Sequence, residues 1–244
     1  MKKIELSIVI PCFNEEKRLE PGLTNSINYI VSNIGQSLEL VFVNDGSTDQ
    51  TFRVLDEAKK RNAAVPIEVL SYAQNEGKGY AVKTGVLNSR GEKIIVMDAD
   101  FSIDLSEMPK LIERLDAYDV VVGTKKHLLT QSVKKQKMSR RILGKGFTVL
   151  TNFMLGLKCS DITCGFKGFR REAAKDLFSR QRMKGWAYDA ETLFLAKNLK
   201  YSLGELPVKW LHIEGSKVSA IADTVRSFKD LMAIIINYHS GRYN

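Results

Sequence analysis

The stretch IIVMDADFSIDL, residues 94–105, sets an apolar run as long as one buried strand directly before three carboxylates, Asp98, Asp100 and Asp104. Acids disfavour strand interiors and repel one another at close range. Either they hold a cation, or they cap the strand and open the next helix. The preceding chain bears on that choice, because the same pattern occurs there three times. ELSIVIP, LELVFVND and PIEVLSY are apolar runs, and the segments that follow, at about residues 15–34, 49–61 and 77–88, have the spacing of amphipathic helices. A further strand, DVVVGTK, begins at Asp119. Strands alternating with helices predict an α/β domain on a mostly parallel sheet with helices on both faces.

Ligands of such sheets bind outside the carboxyl ends of the strands, and polar clusters fall there. Asn14, Glu15 and Glu16 follow the first strand, Asn44, Asp45, Gly46 and Ser47 end or follow the second, NEGKGYA follows the third, and Asp98 and Asp100 follow the fourth. Beyond residue 125 the pattern changes to a helix at about 142–155, the block DITCGFKGFRREAA, a helix around DAETLFLAKNL, the strand LGELPVKWLHI and a closing amphipathic helix at about 221–238. These later elements are expected to complete one sheet edge and cover the rim. No repeat, low-complexity linker or composition break divides residues 1–244, so one domain is expected.

Composition excludes several classes. With 44% hydrophobic residues the chain can bury a full core, and it contains no apolar run of spanning length; a signal peptide is not expected either, because the first hydrophobic stretch meets Pro11 and then acids. Cys12, Cys159 and Cys164 form no C-x-x-C pair, which fits reduced thiols in the cytoplasm and argues against zinc. His127, His212 and His239 have no ligand spacing. The net charge is +9, and residues 125–145, KKHLLTQSVKKQKMSRRILGK, hold eight Lys or Arg and no acid. Such a run is either a solvated loop or a surface for phosphates, such as anionic lipid. Nucleic acid is not an expected partner, since no aromatics are interleaved to stack bases.

Taken singly the motifs are common. VNDGSTDQT is an ordinary strand–turn–helix junction, D-A-D occurs by chance, and Gly77 and Gly79 beside Lys78 only resemble a phosphate cradle. Their order is what carries weight: strand-P-x-F-N-E, strand-N-D-G-S-T-D, N-x-G-K-G, strand-D-A-D. In that order the chain resembles the family 2 glycosyltransferases, whose GT-A fold is a Rossmann-like, mostly parallel sheet. The blocks DITCGFKGFRREAAKDLF, GWAYDAETLFLAKNL and LPVKWLHIEGSKV further resemble the dolichyl-phosphate β-glucosyltransferases among them. Thr163, Gly185 and Tyr188 stand where that group usually has Gln, Arg and Phe.

The resemblance implies a division of labour. Residues 1–124 would bind a UDP-sugar and residues 125–244 the acceptor. Pro11, Phe13 and Glu15 would border the uridine, Asp45 would receive the uracil or ribose, Lys78 would lie near the nucleotide, and Asp98 would serve both nucleotide-sugar and metal. Asp98 and Asp100 together would hold Mg²⁺ or Mn²⁺, whose preference for hard oxygen ligands suits carboxylates and diphosphate. Lys125, Arg140 and Lys167 would bind the acceptor phosphate of a dolichyl or other polyprenyl phosphate, and Asp189 and Arg140 would act in catalysis, with Asp189 or Glu191 facing the sugar. The expected reaction is an inverting transfer of a hexose, glucose from UDP-glucose, by an enzyme peripheral on an anionic cytoplasmic membrane face. The alternatives are a relative using GDP-mannose or a hydroxyl acceptor, a phosphatase of the strand-D-x-D type, and a noncatalytic basic adaptor.

Overall fold

The computed structural model describes residues 3–20, 22–35, 37–125, 138–210 and 220–243, with the side chains of 138–145 and 220–227 outside that description. Strands β1 (Leu6–Cys12), β2 (Leu38–Asp45), β3 (Ile67–Tyr72), β4 (Lys93–Val96), β5 (Val120–Thr124), β6 (Lys167–Arg170) and β7 (Leu203–Pro207) form one sheet in the order β3-β2-β1-β4-β6-β5-β7. β1, β2, β3 and β4 pair parallel, as do β5 and β7, while β6 runs antiparallel between β4 and β5. The α/β class and the mostly parallel sheet follow the sequence pattern. The inserted β6 does not, because KGFR is four residues long and its neighbours are distant in sequence.

The strands are apolar at consecutive positions because both faces are covered. Ile8 and Ile10 of β1 pack with the helices α2 (Leu23–Asn33), α3 (Thr51–Arg61) and α5 (Met108–Arg114). Val9, between them, packs with α4 (Lys78–Asn88), α7 (Arg171–Arg180) and α8 (Tyr188–Asn198) on the opposite face. This is the period-2 alternation of a strand buried on both sides. The helix expected over 15–34 is instead two, α1 (Glu16–Leu19) and α2, with Pro21 and Gly22 falling between them in sequence; proline removes a helix donor and clashes with the preceding turn. The remaining helices are α6 (Met138–Leu155) and α9 (Ala220–His239), close to the expected ranges. The expected strand LGELPVKWLHI is ordered as β7, with a single antiparallel bridge from Trp210 to Ile103, and its last residues lie outside the described ones.

Candidate active site

At the carboxyl ends of β1, β2 and β4, and in the turn between β3 and α4, the chain turns through a left-handed residue each time: Asn14 (φ 52°), Gly46 (φ 63°), Phe101 (φ 49°) and Gly77 (φ 104°). Asn14 and Phe101 carry side chains in a region that is unfavourable for them, and such residues persist where their surroundings fix them. For Asn14, cross-bonds between the loops supply that fixation. Asn14 N–H donates to Ser47 Oγ (3.0 Å), Thr48 N–H donates to Asn14 Oδ1 (2.8 Å), and Glu15 N–H donates to Thr51 Oγ1 (2.8 Å). Glu15 also pairs with Arg18 at 3.1 Å. Phe13 stands partly exposed beside them, and Pro11 lies in β1 opposite Val43.

Asp45 is buried at the end of β2, and its carboxylate accepts from Asn75 Nδ2 (2.8 Å), Glu76 N–H (2.8 Å) and Gly77 N–H (3.0 Å). It therefore fixes the N-x-G-K-G turn that presents Lys78 at the start of α4. Gly77 is required there twice over: its φ is left-handed, and a Cβ would lie 2.6 Å from the Lys184 carbonyl.

The three opening carboxylates separate into different tasks. Asp104 is a cap: it accepts from Ser106 N–H (2.9 Å) ahead of the 3-10 turn Leu105–Glu107, and the bonds from Ser106 hold its carboxyl below the usual range. Asp100 accepts from Ser102 N–H with one oxygen (3.0 Å). Asp98 accepts from Lys78 Nζ at 2.6 Å. Burial works against the charge on Asp98, but Lys78, and then Lys125 and Lys167, outweigh it and hold the carboxyl below its ordinary value. The converse holds for Lys78, where burial favours loss of the proton while Asp98, Asp189 and Asp100 raise the pKa.

The second half of the chain closes on this point. Gly165 packs so tightly on Asp98 that an added Cβ would sit 2.1 Å from Oδ2, which explains a residue without a side chain in CGFK. Lys167 Nζ donates to the Cys164 carbonyl (2.6 Å) and forms a buried ion pair with Asp189. Lys125, after β5, lies over the Trp210 ring (5.5 Å), and its N–H donates to Asp161 (3.2 Å). The half-exposed Trp186 lies over Lys78 Nζ at 5.0 Å. Asp189 thus faces the Asp98 region, whereas Glu191, two residues on, is buried away among Arg182 N–H, Met183 N–H and the Tyr243 hydroxyl (3.0, 2.8 and 2.6 Å). Burial raises the Glu191 pKa despite those donors. Its bonds pin residues 182 and 183, and its contact with Tyr243 crosses more than fifty residues, which no local signal carried. Residues 126–137 of the basic run, His127 among them, His212, and the side chains of 138–145, Arg140 included, lie outside the described residues.

Among the described residues no three His, Cys, Asp or Glu side chains form a metal-ligating cluster. Asp98, held ionised, and Asp100 supply two hard carboxylates on one turn, a set that fits Mg²⁺ or Mn²⁺ when substrate phosphates and water complete the shell.

A mostly parallel sheet whose rim joins acids, a part-buried lysine and a glycine-bearing turn is the arrangement of the GT-A fold. The family model of glycosyl transferase family 2 matches residues 7–178, and the chain belongs to that family and is a glycosyltransferase. The dolichyl-phosphate β-glucosyltransferase of Homo sapiens is 33% identical over 250 residues, covering 98% of this chain and 77% of the human protein. The enzyme of the same name from Saccharomyces cerevisiae is 34% identical over 260 residues, covering 99% and 77%. Glucosyl-3-phosphoglycerate synthase from Mycobacterium tuberculosis, solved with Mn²⁺, UDP and glucosyl-3-phosphoglycerate, superimposes with a TM-score of 0.67 at 16% identity, over 96% of this chain and 79% of that one; this likeness is one of fold.

Proposed function

We propose that the protein transfers glucose from UDP-glucose to a polyprenyl phosphate of the dolichyl type, with inversion, at the cytoplasmic face of a membrane. The observation that carries the reading is the convergence on Asp98 of Lys78 from the first half of the chain and Gly165 from the second. Identity to dolichyl-phosphate β-glucosyltransferases over almost the whole chain supports the donor sugar and the acceptor, and three buried free cysteines suit a reducing compartment.

In this reading the acceptor phosphate oxygen attacks the anomeric carbon as the bond from that carbon to the diphosphate breaks, and UDP leaves with the electron pair. Mg²⁺ or Mn²⁺ held by Asp98 and Asp100 would neutralise charge on the departing diphosphate. Lys78 adds a fixed positive charge to the same side. A phosphate monoester has a second pKa of about 6 and is already largely dianionic at neutral pH, so it needs no strong base. The site must instead hold the oxygen in line, which is work for cations. Lys125 and Arg140 are assigned to that phosphate, and the Lys167–Asp189 pair braces the floor beneath it. Comparing variants tests the assignment: Arg140→Ala should raise KM for lipid phosphate and lower kcat while UDP-glucose binding changes little, and Asp189→Asn should be milder than Asp100→Asn. An indispensable Asp189 with a dispensable Arg140 would favour a hydroxyl acceptor, and turnover with GDP-mannose alone would replace the donor.

A further inference from the structure

Helices α6 and α9 pack against each other, and both turn apolar side chains outward. Val149 and Phe153 of α6 are 68% and 86% exposed, and Phe228, Met232 and Ile236 of α9, spaced one turn apart, are also exposed, Ile236 at 57%. Their inner faces bury Leu155 of α6 and Leu231 and Ile234 of α9 along with Thr148, Thr151 and Asn237, so apolar side chains stand on both the inner and the outer side. A surface helix ordinarily keeps its outer face polar. Scattered exposed apolar residues need no explanation, but an outward stripe on each of two adjacent helices marks an interaction surface.

We propose that the outer faces of α6 and α9 are a docking surface for an anionic lipid bilayer, an inference that rests on the lipid-acceptor reading above and names the surface that brings the enzyme to its acceptor. Charge selects this occupant. The run of eight Lys or Arg without an acid ends at Lys145, one helical turn before Val149 in α6. By charge, an anionic surface complements such a run, whereas a second copy of the chain carries the same positive run. Among the described residues no helix is long and apolar enough to cross a membrane; an amphipathic helix binds a bilayer by laying its apolar face into the interface, and the exposed stripes of α6 and α9 supply such a face.

The test is flotation of the full chain with vesicles of equimolar phosphatidylcholine and phosphatidylglycerol, and with phosphatidylcholine alone, at low and raised salt. The expected result is binding to the anionic vesicles that weakens with salt, and binding about ten-fold or more weaker for Phe153→Ser/Ile236→Ser, since two apolar side chains no longer insert. Thermal melting should be unchanged because both side chains are exposed, and turnover on a short-chain, water-soluble isoprenyl phosphate should be retained. Wild-type protein that ignores anionic vesicles at low salt, a variant that floats equally well, or a dimer made monomeric by the substitutions would overturn the proposal. Wild-type protein that floats yet glycosylates no lipid phosphate would leave the docking surface standing and remove the acceptor reading.

Discussion

Lys167 and Asp189 form a buried ion pair across the floor of the site, joining β6 to the first turn of α8, with the Lys167 ammonium also held by the Cys164 carbonyl. Removing one partner of such a pair strands the other charge, which typically costs about 3–5 kcal/mol. Lys167→Met should therefore lower unfolding stability by an amount of that order, and Lys167→Met/Asp189→Leu by clearly less. Urea denaturation of both variants measures this, and additive losses would show that the two charges act independently.

Asp100→Asn should lower turnover by about two orders of magnitude or more, since removal of one hard anionic oxygen ligand weakens cation binding at the diphosphate. Stability should not fall, because crowded carboxylates repel in the absence of a cation. Excess EDTA should abolish wild-type activity and added Mg²⁺ or Mn²⁺ should restore it. Full activity in EDTA would remove the metal from the account.

Much of this rim was legible in the sequence. β1, β2 and β4 announce themselves as apolar runs, and the clusters that end or follow them, Asn14 to Glu16, Asn44 to Ser47, and Asp98 with Asp100, lie together because parallel strands share a carboxyl edge. The sequence could not show how the acids divide. Asp98 as the partner of Lys78, and Asp104 as a cap past the left-handed Phe101, depend on side-chain directions that no sequence pattern carries. The antiparallel β6 was missed because KGFR is too short for a period, and α7, directly after it, was missed with it. The division into α1 and α2 was readable from the proline in EPG and outweighed by the apolar spacing on either side. Contacts such as Trp186 over Lys78 and Tyr243 on Glu191 join segments more than fifty residues apart, beyond any local pattern.

Gly165→Ala should damage the donor site without unfolding the protein. The new Cβ would lie within 2.1 Å of Asp98 Oδ2, so the carboxylate must move away from Lys78. Overpacking of this kind costs about 1–3 kcal/mol of stability. Steady-state kinetics should show a raised KM for the nucleotide-sugar and a lowered kcat, and unchanged kinetics would show that Asp98 need not stay where it is.

The thiols should be unreactive in the native protein. Burial raises Cys159 and Cys164 to about 11, and Cys12 is buried as well. A thiol forms its reactive thiolate as pH rises through its pKa, so at pH 8 these two groups stay protonated, and reaction should accelerate only toward pH 11. Against the ordinary value of 9.0, a two-unit rise means about a hundred-fold less thiolate. Timed labelling at pH 8, before and after denaturation, checks this; a fast native thiol would contradict the packing around CGFK.

The central claim, glucosyl transfer to a lipid phosphate, is tested most directly by incubating the protein with UDP-glucose labelled in the sugar, dolichyl phosphate and Mg²⁺, then extracting the lipid. The expected result is label in the lipid extract, released UDP in equal amount, and loss of both with Asp100→Asn or EDTA. UDP release that is the same with and without dolichyl phosphate, or label passing to an unphosphorylated alcohol while dolichyl phosphate stays unlabelled, would contradict it.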